Sequence, residues 1–174
     1  MAPSRGAAIG QIKQQSQDKL LLKAEVYSEL IDMLGINCTL DAFYPSIICN
    51  KVPDIAVPLP PIKYKGDEFF TKETSAQVVL LYPEEDRVAE ALSHYTVQKA
   101  TDITLSALVV VPSTRGKKTP WTKYLKGMQL LKQYYGRDRI FGDIEGKTIH
   151  THRSVEVYYD PPLSLPAQDR AERI

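Results

Sequence analysis

The chain has 174 residues, 43% of them hydrophobic and 25% charged, with a formal net charge of +1. These values suit one globular domain with a single core and exclude disordered and fibrous classes. No run reaches the roughly 18 apolar residues that span a bilayer. The opening MAPSRGAAIGQIKQQSQ also lacks an apolar signal core, so an intracellular protein without a membrane partner is expected.

The near-neutral total hides an asymmetry. Between Ser113 and Arg139 eight basic residues face one acid, a net +7, whereas between Asp67 and Asp102 eight acids face three bases, a net −5. Such a split says more about partners than the total does. Cys38 and Cys49 are expected to be free thiols, because a chain without a secretion signal seldom carries a structural disulfide. No Cys/His cluster has metal-ligand spacing.

Residues 1–16 are small, polar and Gln-rich and read as a flexible N-terminal arm. From Asp18 to Leu34 apolar residues recur at helical spacing, with Gly35 at the stop, so a helix is predicted. Ile36 to Phe43 reads as a strand whose last polar residue is Asp41. Four prolines between Ser46 and Thr71 predict an extended, irregular connection. Ala76 to Tyr82 then reads as a strand, Glu84 to about Ala100 as a helix, and Leu105 to Val111 as a second apolar strand. Pro120 to Tyr135 is predicted as a helix capped by Thr119 and closed by Gly136. Arg139 to Gly142 and Ser154 to Tyr159 are predicted as two further strands, a hairpin or an adjacent edge around GDIEGK. The fold expected is a three-layer α/β sheet, mostly parallel with an antiparallel edge, over residues 17–162, followed by a C-terminal tail, 163–174.

Ligands of open α/β sheets sit outside the carboxyl ends of the strands. That rule nominates the turn after Phe43, the Pro83 to Asp86 turn, the Pro112 to Thr119 loop and the segment after Phe141.

KAEVYSELIDMLGINCTLDAFYPSIICNKVPD, with Leu34, Gly35, Leu40, Asp41, Phe43, Cys49 and Asn50, resembles the opening of phage-type Dam-like adenine-N6 methyltransferases and the related domain of DIRS-type retrotransposon polyproteins. VVLLYPEEDRVAEAL, SALVVVPSTRGKKTPWTKYLKGM and RDRIFGD followed by SVEVYY are similar to that family's later strands and turns over roughly residues 23–160. The resemblance implies a Rossmann-like methyltransferase-type sheet, S-adenosylmethionine as cofactor, a viral or mobile-element setting that includes association with a virion, and DNA or RNA as partner. Asp41 and Phe43 are then the cofactor-binding candidates, and the turn Tyr82, Pro83 and Glu84 is the catalytic candidate.

The family's turn of Asn or Asp, Pro, Pro and an aromatic holds the target amine and stacks on the extruded base. Here Leu81 stands at the amide or carboxylate position and Glu84 at the stacking position, and moving the register by one puts Tyr82 and Glu85 there instead. Neither register restores the motif, so amine methylation is expected to be lost or altered, with Glu84 or Glu85 as a general base or metal carboxylate for another reaction as the alternative. Glu84, Glu85 and Asp86 also suit the first turn of the following helix. Asp160-Pro161-Pro162 imitates the missing motif, but Leu163 replaces its aromatic and only eleven residues follow Leu163. It reads as a strand terminator. The histidines His94, His150 and His152 read as surface residues.

Arg115, Lys117, Lys118, Trp121 and Lys123 combine phosphate neutralisation with a stacking ring and are the nucleic-acid candidates. The expected role is therefore a methyltransferase-like domain with an eroded catalytic turn that binds nucleic acid or serves in an assembly with other proteins. Two alternatives stay open: an active S-adenosylmethionine-dependent adenine methyltransferase, and a protein-interaction module using the Pro-rich 53–61 segment.

Overall fold

The computed structural model describes residues 19–48, 59–114 and 116–163. The expected arm at 1–16, Cys49 and Asn50, most of the Pro-rich segment, Arg115 and all of the tail but Leu163 lie outside the described residues. Leu21–Leu22 (β1) and Ala24–Leu34 (α1) divide the stretch that periodicity gives wholly to a helix. The first turn is lost because distant main chain captures it: Leu22 donates to Ser46 O at 2.9 Å and accepts from Ile48 N at 2.8 Å. Helix α1 buries Val26, Tyr27, Leu30 and Ile31. It stops at Gly35, whose φ of 68° favours glycine and whose N–H reaches Ile31 O.

Regular strand structure in Ile36 to Phe43 shrinks to Leu40–Asp41 (β2), because the residues after Asp41 turn back on its carboxylate. Among the described residues of the connection, Ile62–Lys63 (β3) and Glu68–Thr71 (α2) are short regular elements. Val78–Leu81 (β4), Val88–Thr101 (α3) and Ser106–Pro112 (β5) form the expected strand, helix and strand, with β4 and β5 parallel from Val78 opposite Ser106 to Leu81 opposite Val109.

The predicted helix from Pro120 to Tyr135 is absent. A single 3₁₀ turn, Thr122–Leu125, is followed by Gln129–Tyr134 as a strand (β6). Gly127, at φ 86°, breaks the run, and the pattern Leu130, Leu131, Tyr134 fits either period until a partner strand decides it. That partner is Val155–Asp160 (β8), antiparallel to both β5 and β6. Phe141–Gly142 (β7) makes no hairpin with β8; it pairs antiparallel with β1 in a separate two-stranded sheet.

The architecture is α/β around a mostly parallel six-stranded sheet of order β3-β2-β4-β5-β8-β6, with the antiparallel pairings at one side. Two-residue alternation makes three layers. Leu80, Tyr82, Leu108 and Val110 pack towards α1 and the β1–β7 pair, while Val79, Leu81, Val109 and Val111 pack with α3 and Leu125. Each such fully buried aliphatic side chain contributes about 1.5–3 kcal/mol. Among the described residues no helix is long and apolar enough to cross a membrane, and no cluster of His, Cys, Asp and Glu could hold a metal ion. Cys38 is free and buried.

Candidate functional site

Parallel strands β2, β4 and β5 end at Asp41, Leu81 and Pro112, so the turns that follow them share one edge of the sheet. The segment after β7 joins them there. Among the described residues, two adjacent cavities open at this edge. A smaller one, about 240 Å³, lies between Tyr82, Pro83, Glu85, Ser113, Phe141 and His152. A larger one, about 680 Å³, lies between Tyr44, Pro45, Glu84, Asp143, Ile144 and Ile149. The larger volume falls within the range of small-molecule sites. All four places nominated by the strand-end rule therefore border one cleft.

Lys19 and Leu20 line both cavities, forming a strap between them. The Lys19 ammonium donates to Phe43 O at 2.5 Å, Tyr82 O at 2.9 Å and Ser46 Oγ at 3.1 Å, and lies 4.8 Å from the centre of the Tyr82 ring. Burial pushes its amine down to about 8, against the upward pull of Asp41 and Glu84. Tyr82 completes the strap by donating its hydroxyl to Leu20 O, and burial holds its phenol above the ordinary range. The sequence offered no signal for Lys19, since a lysine ahead of a leucine run resembles any solvated helix start.

Asp41 is 3% exposed and borders neither cavity. Its carboxylate accepts from Phe43 N, Ser46 N and, at 2.7 Å, Ser46 Oγ, which makes it the centre of the turn after β2. Burial raises its carboxyl above the ordinary value more strongly than Ser46 and Lys19 lower it. Phe43 borders the larger cavity, but its ring is 4% exposed and packs against Phe69 and Phe70 at 5.3 and 5.8 Å. These two side chains do not fit the cofactor-holding role that the resemblance implies.

In the expected catalytic turn, Leu81 is fully buried on the α3 face, pointing away from the cleft. Tyr82 and Pro83 wall the smaller cavity and Glu84 lines the larger. Glu85 and Asp86 sit in a 3₁₀ turn just ahead of α3. The carbonyl of Tyr82, the main-chain acceptor a target amine would need, already accepts from Lys19.

Among the nucleic-acid candidates, Lys117 and Lys118 are exposed on the loop that leaves the cleft rim at Ser113, where Lys117 N closes a turn onto Thr114 O. Arg115 lies outside the described residues. Lys123 is exposed with its ammonium 5.1 Å from the Tyr124 ring. Trp121 is half-buried, packs with Tyr124 on the α3 side of the core, and its buried indole N–H has no hydrogen-bond partner among the described residues. Lys126 is carried to the far end of the sheet, beside Asp160.

The Asp160 carboxylate accepts from Lys99 at 2.5 Å and from the Tyr95 hydroxyl at 2.6 Å, at the end of β8 opposite the start of β5. Asp160-Pro161-Pro162 is therefore a strand end locked to α3, away from the cleft. His150 and His152 are exposed, whereas His94 is half-buried between the Phe69 and Phe70 rings. No family model, curated protein or solved structure matches the chain.

Proposed function

We propose that this chain is a methyltransferase-type domain that binds nucleic acid through the basic loop leaving the carboxyl edge of its sheet and does not methylate adenine. The observation that carries the reading is the turn after β4. Leu81 is buried where an amine acceptor is needed, and Glu84 stands where a base must stack. A carboxylate facing an extruded base next to a polyanionic strand is unfavourable. Lys117 and Lys118, on the loop leaving the same rim, supply the phosphate-neutralising charge. The mostly parallel sheet with its antiparallel pairings at one side is of the kind the resemblance implies.

The test mixes the protein with S-adenosylmethionine and adenine-containing DNA and RNA, and reads methyladenine by mass spectrometry and binding by fluorescence anisotropy. Oligonucleotide affinity that falls with salt, without methyladenine, is expected. Methyladenine above a protein-free control would establish the active-enzyme alternative, and no binding at low salt would refute the nucleic-acid role.

A further inference from the structure

Three acceptors converge on one point of the cleft: Phe43 O, Tyr82 O and Ser46 Oγ, all within 3.1 Å of the Lys19 nitrogen. Behind them lies the Asp41 carboxylate, bonded to the same Ser46 hydroxyl, and beside them the Tyr82 ring. Three acceptors in this arrangement match the three N–H groups of a primary ammonium, and the ring face and carboxylate add to its attraction. The larger cavity begins at this point and carries Glu84, Asp143 and Glu145 alongside the apolar surfaces of Tyr44, Ile144 and Ile149.

We propose that this cradle is a receptor for the protonated primary amine of a small ligand with an apolar body, and that Lys19 occupies it until such a ligand displaces the strap. Three observations favour exchange over a permanent strut. Lys19 already borders both cavities, so withdrawing it joins them. Burial lowers its amine in spite of the acids nearby, so the strap holds its ammonium against a desolvation cost. The acids of the larger cavity attract a cation from solvent, and the apolar wall gives its body a contact that Lys19 lacks. The inference adds a ligand class and stands independently of nucleic-acid binding.

The probe is phenethylammonium, compared with phenethyltrimethylammonium, which carries the same charge and ring but no N–H. Calorimetry on Lys19→Ala should show phenethylammonium binding roughly tenfold or more tighter than to the natural chain, because the internal competitor is gone. The quaternary analogue should bind far more weakly than the primary amine, and adding Ser46→Ala should weaken the primary amine. Equal affinity of the two probes, or equal affinity of the natural chain and Lys19→Ala, would overturn the proposal. If Lys19→Ala does not fold, amide exchange in the natural chain decides. The primary amine should speed exchange at Leu22 and Ile48, whose N–H groups tie down the strap, and leave Leu108 and Val110 at the sheet centre unchanged. No acceleration at Leu22 and Ile48 would overturn it.

Discussion

Asp160→Asn tests whether the Asp-Pro-Pro sequence at the end of β8 is structural. Asp160 and Lys99 have side chains only 15% and 11% exposed, and Tyr95, donating to the same carboxylate oxygen, is 1% exposed. The substitution keeps size and an oxygen acceptor at the position that Tyr95 and Lys99 share, but removes the negative charge and leaves the Lys99 ammonium with neutral acceptors alone, that amide oxygen and the Pro161 carbonyl 2.5 Å away. Stranding one member of a buried pair costs about 3–5 kcal/mol, and the surviving acceptors place this case at about 3 kcal/mol. At 2–4 °C per kcal/mol for a domain of this size, Tm should fall by roughly 6–12 °C. Urea unfolding should show a lower midpoint with an unchanged slope. Lys99→Met combined with Asp160→Asn should recover a good part of the loss, giving a coupling energy of about 2 kcal/mol. A cost below about 1 kcal/mol, or strict additivity in the double variant, would refute the buried strut and reopen Asp160 as a site for chemistry.

Gly136→Ala should lower Tm by roughly 4–8 °C in a melting experiment, since its Cβ would lie 2.5 Å from Thr151 O and 2.9 Å from His152 Cα, main-chain atoms that yield only at a cost of about 2 kcal/mol. The pH dependence of stability should change with Lys19. Its folded amine titrates near 8 against an ordinary 10.5, so the burden of a buried ammonium is complete below pH 8 and is relieved as pH rises towards 10.5. The natural chain should therefore gain stability relative to Lys19→Met across that window, and a constant difference in urea titrations would contradict the assignment.

The elements legible in the sequence were those whose apolar pattern is local and unambiguous. Val78–Leu81, Val88–Thr101 and Ser106–Pro112 follow directly from two apolar runs around an amphipathic stretch. The edge carrying the cleft followed from the strand-end rule. Elements decided by distant partners depart from their local pattern: Leu21–Leu22 is drawn out of helix by Ser46 and Ile48, and Gln129–Tyr134 becomes a strand because β8 lies alongside it. The same limit applies to the site. Lys19 acts through main-chain carbonyls 24 and 63 residues away, which no residue spacing reveals. Asp41, chosen for standing at a strand tip, is enclosed by the turn it organises.

Whether nucleic acid binds at the loop leaving the cleft rim is decided by the salt dependence of oligonucleotide affinity. Replacing Lys117 and Lys118 with alanine should weaken binding of single-stranded oligonucleotides of differing sequence alike, and should reduce the slope of log affinity against log salt by about 1 for each lysine that contacts phosphate. An unchanged affinity and slope in the double variant would rule out this loop as the nucleic-acid contact.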